Sequence, residues 1–253
     1  AIDAPPLPAD AEAWRRQMME IAGRSVRNVV LTDHRPERAL GAVFLGAPVI
    51  AGRRTFELLR SCGDDLRQAA IEAWSNHRPE AAALAEARLA LPEITVDGRI
   101  LLHDTRQLVV ESVAGAAPGS VWVRLMEERL LFAGDTVVVG EHPVLEDAPD
   151  TRAWLRTLVT VRRGYFPADT IVPGRGPVGG KDETRSLSEY IQRARRRIRS
   201  VHTAGRDRSD LVSLILEFLS QYPVEDGNQE EIERRIQRGL ERVYDELQSA
   251  EPS

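Results

Sequence analysis

Apolar and polar positions alternate with two different periods along this chain, and the switch between them sets the order of its elements. Pro5 to Pro8 forms a turn-rich lead-in. Asp10 is placed to cap a helix running to about Ile21, with Trp14, Met18 and Ile21 on one face and Gly23 as its stop. Ser25 to Thr32 reads as a strand, followed by a charged loop at 33–38, a short helix from Ala39 to Leu45 and a buried strand from Ala47 to Ala51. Arg53 to Arg60 and Asp65 to Trp74 have helical spacing, the second through Leu66, Ala70 and Trp74. Asn76 to Leu91 reads either way, with alanines favouring helix and prolines at both ends.

From Ile94 the period becomes that of strands. Gly98 to Leu102, Gln107 to Ser112, Ser120 to Leu125 and Arg129 to Phe132 are short runs, with hairpin tips at Asp104-Thr105-Arg106 and Glu127-Glu128 and one more apolar piece at Val137 to Val139. Asp150 caps a predicted helix to about Arg163, and Thr170 to Val172 is the last strand. The remainder is helical. Leu187, Ile191, Ala194 and Ile198 share one stripe, a second helix starts at Ser209 or Asp210 and runs to about Leu219, and Ile232, Ile236, Leu240, Val243 and Leu247 mark the final one. The pattern predicts one α/β domain over 1–180 with a helical extension over 181–249.

Composition narrows the function only a little. The 253 residues carry a net charge of −5, which offers no global attraction to nucleic acid or anionic membrane. The single cysteine, Cys62, excludes an internal disulfide framework, reads as inert and fits a reducing, cytoplasmic setting. No apolar run reaches the ~18 residues of a membrane span. Five arginines between Arg193 and Arg199 suggest a nucleic-acid patch, but the helix keeps its apolar stripe clean, so a solvated face is expected and nucleic-acid binding is not.

The candidate chemistry sits where strands stop at titratable residues. Val29-Val30-Leu31-Thr32 ends at Asp33-His34-Arg35-Pro36-Glu37-Arg38. Three turns follow later: Gly115-Ala116-Ala117-Pro118-Gly119-Ser120, Phe132-Ala133-Gly134-Asp135 and Pro173-Gly174-Arg175-Gly176. In order and character these pieces resemble the metallo-β-lactamase fold superfamily, from Ile2-Asp3 to Pro177. The resemblance implies an α/β fold, an αββα sandwich. In that family the strand ends in Thr-His-x-His-x-Asp-His and the later turns carry His, Asp and His, ligands of one or two zinc or iron ions.

On that resemblance the chain keeps the scaffolding and loses the ligands. Asp33, Arg35 and Arg38 stand at the three histidine positions, Glu37 at the aspartate, Ala116 and Arg175 at the later histidines, and only Asp135 is unchanged. Arginine stays protonated and cannot ligate. The leading expectation is a catalytically degenerate member with a structural or regulatory role, its guanidinium groups (Arg35, Arg38, Arg175) neutralising Asp33, Glu37 and Asp135 with no metal.

Two other readings stay open. One is a hydrolase of esters, thioesters or phosphodiesters, with a mononuclear zinc, iron or manganese held by Asp135 with Asp33, Glu37 or His142. The other is an anion sensor built on Arg35, Arg38 and Arg175. His34 is expected to face solvent, and His77, His103 and His202 to be surface or loop residues. The resemblance also implies strands ahead of Ile2-Asp3. A second polypeptide or another copy of the chain is expected to supply them, along a gap bordered by Ile2 and Ile94 to Ser112.

Overall fold

The computed structural model describes residues 1–103, 106–225 and 227–250, so Asp104 and Thr105 of the expected hairpin tip lie outside the described residues. It divides into two compact units, one of residues 1–113 with 119–123 and one of residues 114–118 with 124–253.

In the first unit, helix α1 (Pro8–Ala22) begins two residues before Asp10, because Pro8 holds the φ angle that the first helical position needs. Gly23 ends it at φ 66°, donating its N–H to the Met19 carbonyl. Trp14 and Met18 pack on the core as expected, but Ile21 is 80% exposed, so it does not share their face.

Strands β1 (Val29–Leu31), β2 (Val49–Gly52) and β3 (Ile94–Val96) form a parallel sheet, with Val29 opposite Val49 and Ile50 opposite Ile94. β1 and β2 are wholly buried, which explains why they read as unbroken apolar runs rather than alternating ones. Between them lie the four-residue helix α2 (Pro36–Ala39) and a 3₁₀ turn (Ala42–Leu45), where a charged loop to residue 38 and a helix from Ala39 to Leu45 were expected.

Helix α3 (Arg53–Trp74) is continuous through Ser61-Cys62-Gly63, joining the two helices predicted there. Gly63 is a packing site and not a break: a Cβ there would stand 2.2 Å from Leu89 Cδ2. Residues 79–86 form 3₁₀ turns. β4 (Arg99–His103) and β5 (Gln107–Ser112) are antiparallel, and β6 (Val121–Leu125) begins in this unit beside β5. Ile2 adds an isolated parallel bridge to Val30.

In the second unit, the runs expected at 129–132 and 137–139 are one strand, β7 (Leu130–Val138), paired in parallel with β8 (Thr170–Arg175). An irregularity at Gly134 lets the strand continue through the Gly134-Asp135 turn signal. Among the described residues the unit also holds the α-helices α4 (Thr151–Arg162), α5 (Thr184–Thr203), α6 (Ile215–Leu219) and α7 (Gln229–Ala250), with 3₁₀ turns at Lys181–Glu183 and Arg208–Leu214. Their stripes supply Trp154, Leu158, Leu187, Ile191, Ile198, Phe218 and Leu240 to the core. Among the described residues no helix is long and apolar enough to cross a membrane.

Asp150 caps α4 by accepting the Ala153 N–H at 2.8 Å. Asp150→Ala is expected to cost about 1 kcal/mol in urea unfolding, and Asp150→Ser to recover most of it.

Candidate functional site

The first cluster grows from the end of β1. Thr32 donates twice to Asp3, from its N–H to Oδ1 at 2.7 Å and from its hydroxyl to Oδ2 at 2.8 Å. Asp3 holds this position with φ 56°, a conformation an aspartate adopts at a cost that local hydrogen bonding offsets. Asp33 is 1% exposed and accepts the Arg35 N–H at 2.9 Å and Arg35 Nη1 at 3.3 Å, so the carboxylate braces the start of α2 and pairs with its guanidinium.

Arg38 reaches Asp3 at 3.4 Å. Burial pushes the Asp3 carboxyl up to about 6; the Arg38 charge and the Thr32 hydrogen bonds oppose that rise, and the Asp33 charge adds to it. The turn after Pro118 belongs to the same unit: Val121 donates to the Thr32 carbonyl at 2.9 Å, and the Thr55 hydroxyl to Gly119 O at 3.1 Å. Gly119, at φ +79°, leaves no room for a side chain, since a Cβ would lie 2.4 Å from Thr55 N.

Two expectations are corrected here. Glu37 is exposed in the first turn of α2, so it does not share a buried site with the arginines, and the carboxylate that meets Arg38 is Asp3. Short helix α2 turns position 37 outward while position 38 looks back toward β1. His34 is only 9% exposed, because the loop folds inward between the buried Asp33 and Arg35. His77 and His103 are exposed, and half-buried His202 lies against Tyr244 with ring centroids 4.1 Å apart and the planes tilted by 32°.

The second cluster lies on β7 and β8. Asp135 is 4% exposed, with Arg175 Nη2 at 3.2 Å from its Oδ2. The register fixes this pair by setting Gly134 opposite Pro173 and Val138 opposite Arg175. Gly174 is required by the carboxylate itself: a Cβ there would fall 2.2 Å from Asp135 Oδ1. Gly176, at φ +90°, lies against the Val139 carbonyl. Ala116 is buried at 1% exposure.

His142 is 3% exposed and meets Tyr190 and Tyr222 edge-on, with centroids at 6.2 and 5.3 Å. Neither ring nitrogen has a well-formed hydrogen bond among the described residues. Burial lowers its pKa; the nearby Tyr222 backbone opposes this, Arg235 reinforces it, and Leu219 and Arg175 act more weakly in those same opposite senses.

Sequence reading found Asp33, Arg35, Asp135 and Arg175, and the structure joins them as two ion pairs, one in each unit. It missed Asp3 as the partner of Thr32 and Arg38. The available signal was an aspartate among small residues and prolines ahead of a strand, with nothing local to tie it to residues 29 and 35 positions on.

The donor set does not fit a zinc or iron centre. Such a site takes about three protein ligands from His, Cys, Asp or Glu. Among the described residues no group of three such side chains lies within reach of one ion. Arg35 and Arg38 in the first unit and Arg175 in the second stay protonated and cannot ligate.

No family model matches the chain, and no curated protein matches it in sequence. Solved structures do. A metallo-β-lactamase family protein from Thermus thermophilus aligns with a TM-score of 0.66 at 18% identity, over 98% of this chain and 85% of that one. The mono-zinc metallo-β-lactamase FIM-1 from Pseudomonas aeruginosa gives 0.59 at 16% identity, over 76% and 78%. The sec-alkylsulfatase Pisa1 from Pseudomonas sp. gives 0.68 at 13% identity, over 99% of this chain and 46% of its own length. This chain has the metallo-β-lactamase fold.

Proposed function

We propose that this is a catalytically degenerate metallo-β-lactamase-fold protein with a structural or regulatory role, its former metal site held together by arginine–carboxylate pairs. The observation that carries the reading is the pairing itself. At two of the positions where the resemblance expects a histidine ligand, Arg35 and Arg175, a guanidinium lies within 3.3 Å of a buried carboxylate, Asp33 or Asp135. A buried carboxylate requires a compensating charge, and arginine supplies one without a metal. Arg38 beside Asp3 follows the same logic.

The test is elemental analysis of protein purified without added metal or chelator, alongside turnover of ester, thioester and phosphodiester reporters. Substoichiometric zinc, iron and manganese, with no turnover above buffer, is the expected result. About one ion per chain, lost in Asp135→Ala together with a hydrolytic activity, would overturn the proposal in favour of a mononuclear hydrolase.

A further inference from the structure

The arginines of Arg193–Arg199 do not form the single solvated face that their sequence suggests. Arg195 is buried against Glu246 and Thr151, and Arg197 pairs with Glu217 at 2.8 Å. Arg193, Arg196 and Arg199 remain exposed. None of the three has an ion-pair or hydrogen-bond partner among the described residues. At three-residue steps they advance about 4.5 Å along α5 and turn about 60° round it, which lays them out as a ribbon.

Helix α4 extends this ribbon. It packs antiparallel to α5, because Thr151 at its start meets Arg195 while Arg162 near its end donates to Thr184 and Ser188. Its outward residues Arg152 and Arg156 are exposed, and their side chains have no ion-pair or hydrogen-bond partner among the described residues. The antiparallel register sets Arg152 beside the stretch of α5 that carries Arg196 and Arg199. The nearby carboxylates do not cancel the charge. Glu246 is engaged by Arg195 and Thr151, and Asp150 by the α4 cap, leaving Glu189 exposed on α5. Several other arginines of this unit do meet carboxylates, as Arg185 meets Asp182, Arg235 meets Glu231 and Arg208 meets Glu241 and Asp245.

We propose that the outer face of α4 and α5 binds the phosphate backbone of a nucleic acid, without reading its sequence. Five guanidinium groups on two packed helices offer planar, bidentate donors suited to phosphate. The net charge of −5 does not forbid this, since charges beyond a Debye length of about 10 Å are screened at moderate salt. A membrane surface fits less well. Helices that lie in a bilayer interface insert Trp, Phe or Leu, and the only large apolar side chain strongly exposed on α4 and α5 among the described residues is Val159.

The test is fluorescence anisotropy of the whole protein with a labelled duplex DNA and a labelled single-stranded RNA of about 20 nucleotides. Binding at 50 mM salt that weakens by about two orders of magnitude at 200 mM is expected for four to five phosphate contacts. Arg196→Glu with Arg199→Glu should weaken binding at least about tenfold and flatten the salt dependence by about two counterions, with the circular dichroism spectrum unchanged. Arg185→Glu, at the other end of α5, should leave binding as it was. Preference between duplex and single strand identifies the nucleic acid. Absence of binding to both, or binding that survives the double reversal, would overturn the proposal. So would binding to phosphatidylserine vesicles with neither nucleic acid bound, which would assign the patch to a membrane.

Discussion

Glu246→Ala is expected to destabilise the protein by about 3–5 kcal/mol, because it leaves the buried Arg195 charge without a counterion. The carboxylate is a junction of three helices. One oxygen receives Arg195 of α5; the other receives the Thr151 N–H at 2.9 Å and its hydroxyl at 2.8 Å, both at the start of α4. Arg195 also donates to the Thr151 hydroxyl, which closes a ring of hydrogen bonds. The paired side chains are 8% and 13% exposed, too little for water to replace the lost partner.

Three variants separate charge from packing in urea unfolding. Glu246→Gln keeps an acceptor for Thr151 and removes the charge, so it should cost less than alanine. Arg195→Met with Glu246→Leu removes both charges at similar volume and should recover most of the loss, since a buried pair is seldom worth more than good apolar packing. Single and double variants all within about 1 kcal/mol of the wild type would show that the pair is solvated and the junction is not holding the helices.

The fate of Arg195 also shows what the chain's pattern could and could not disclose. Arg195 stands four residues after Ile191 and three before Ile198, so helical spacing alone puts it on the buried stripe; its charge argued for solvent, and the partner that resolves the conflict lies 51 residues away. The stripes of α5 and α7 were legible because one-sided burial leaves a period in the sequence, and the parallel strands β1 and β2 because complete burial leaves a short unbroken apolar run. The turns at Gly134 and Gly174 were legible as turns, but the single strand running through Gly134 was not, since it depends on pairing with β8.

Gly63 misled for a related reason. Its missing side chain accommodates Leu89, a long-range contact that looks locally like a helix stop. In the candidate site, Asp33 and Arg35 stand two positions apart and their pairing could be anticipated. Asp3 with Thr32 and Arg38 could not, because nothing within a turn or two of Asp3 marks its partners. Glu37 and His34 exchanged their expected places, exposed and buried, because a four-residue helix followed by a 3₁₀ turn gives too little periodicity to fix which way a side chain looks.

Asp3→Asn is expected to reshape the dependence of stability on pH between about 4 and 7. The Asp3 carboxyl moves from 3.8 to about 6 on folding. A carboxyl raised in this way binds its proton more tightly in the folded state. Its contribution is therefore complete below 3.8 and is lost as pH rises through 6, a loss of at most about 3 kcal/mol at 1.36 kcal/mol per pKa unit. The asparagine variant does not titrate. It should be the less stable protein near pH 4, where the protonated carboxyl can still accept through both oxygens from Thr32 and Arg38 and the amide nitrogen cannot, and should gain on the wild type steadily up to pH 7.

His142 works in the opposite direction. Its pKa is lowered from 6.5 by burial among Tyr190 and Tyr222, so its neutral form stabilises the fold above that value and the contribution fades as pH falls. The two groups act with opposite signs, so His142 should offset part of the slope that Asp3 gives the wild-type curve. Urea unfolding of wild type, Asp3→Asn and His142→Phe at four pH values separates them: the difference from wild type should change in favour of Asp3→Asn with rising pH and in favour of His142→Phe with falling pH. A constant offset for Asp3→Asn across the window would mean that the Thr32 donors and the Arg38 charge fully offset burial, leaving Asp3 an ordinary ionised partner of Arg38.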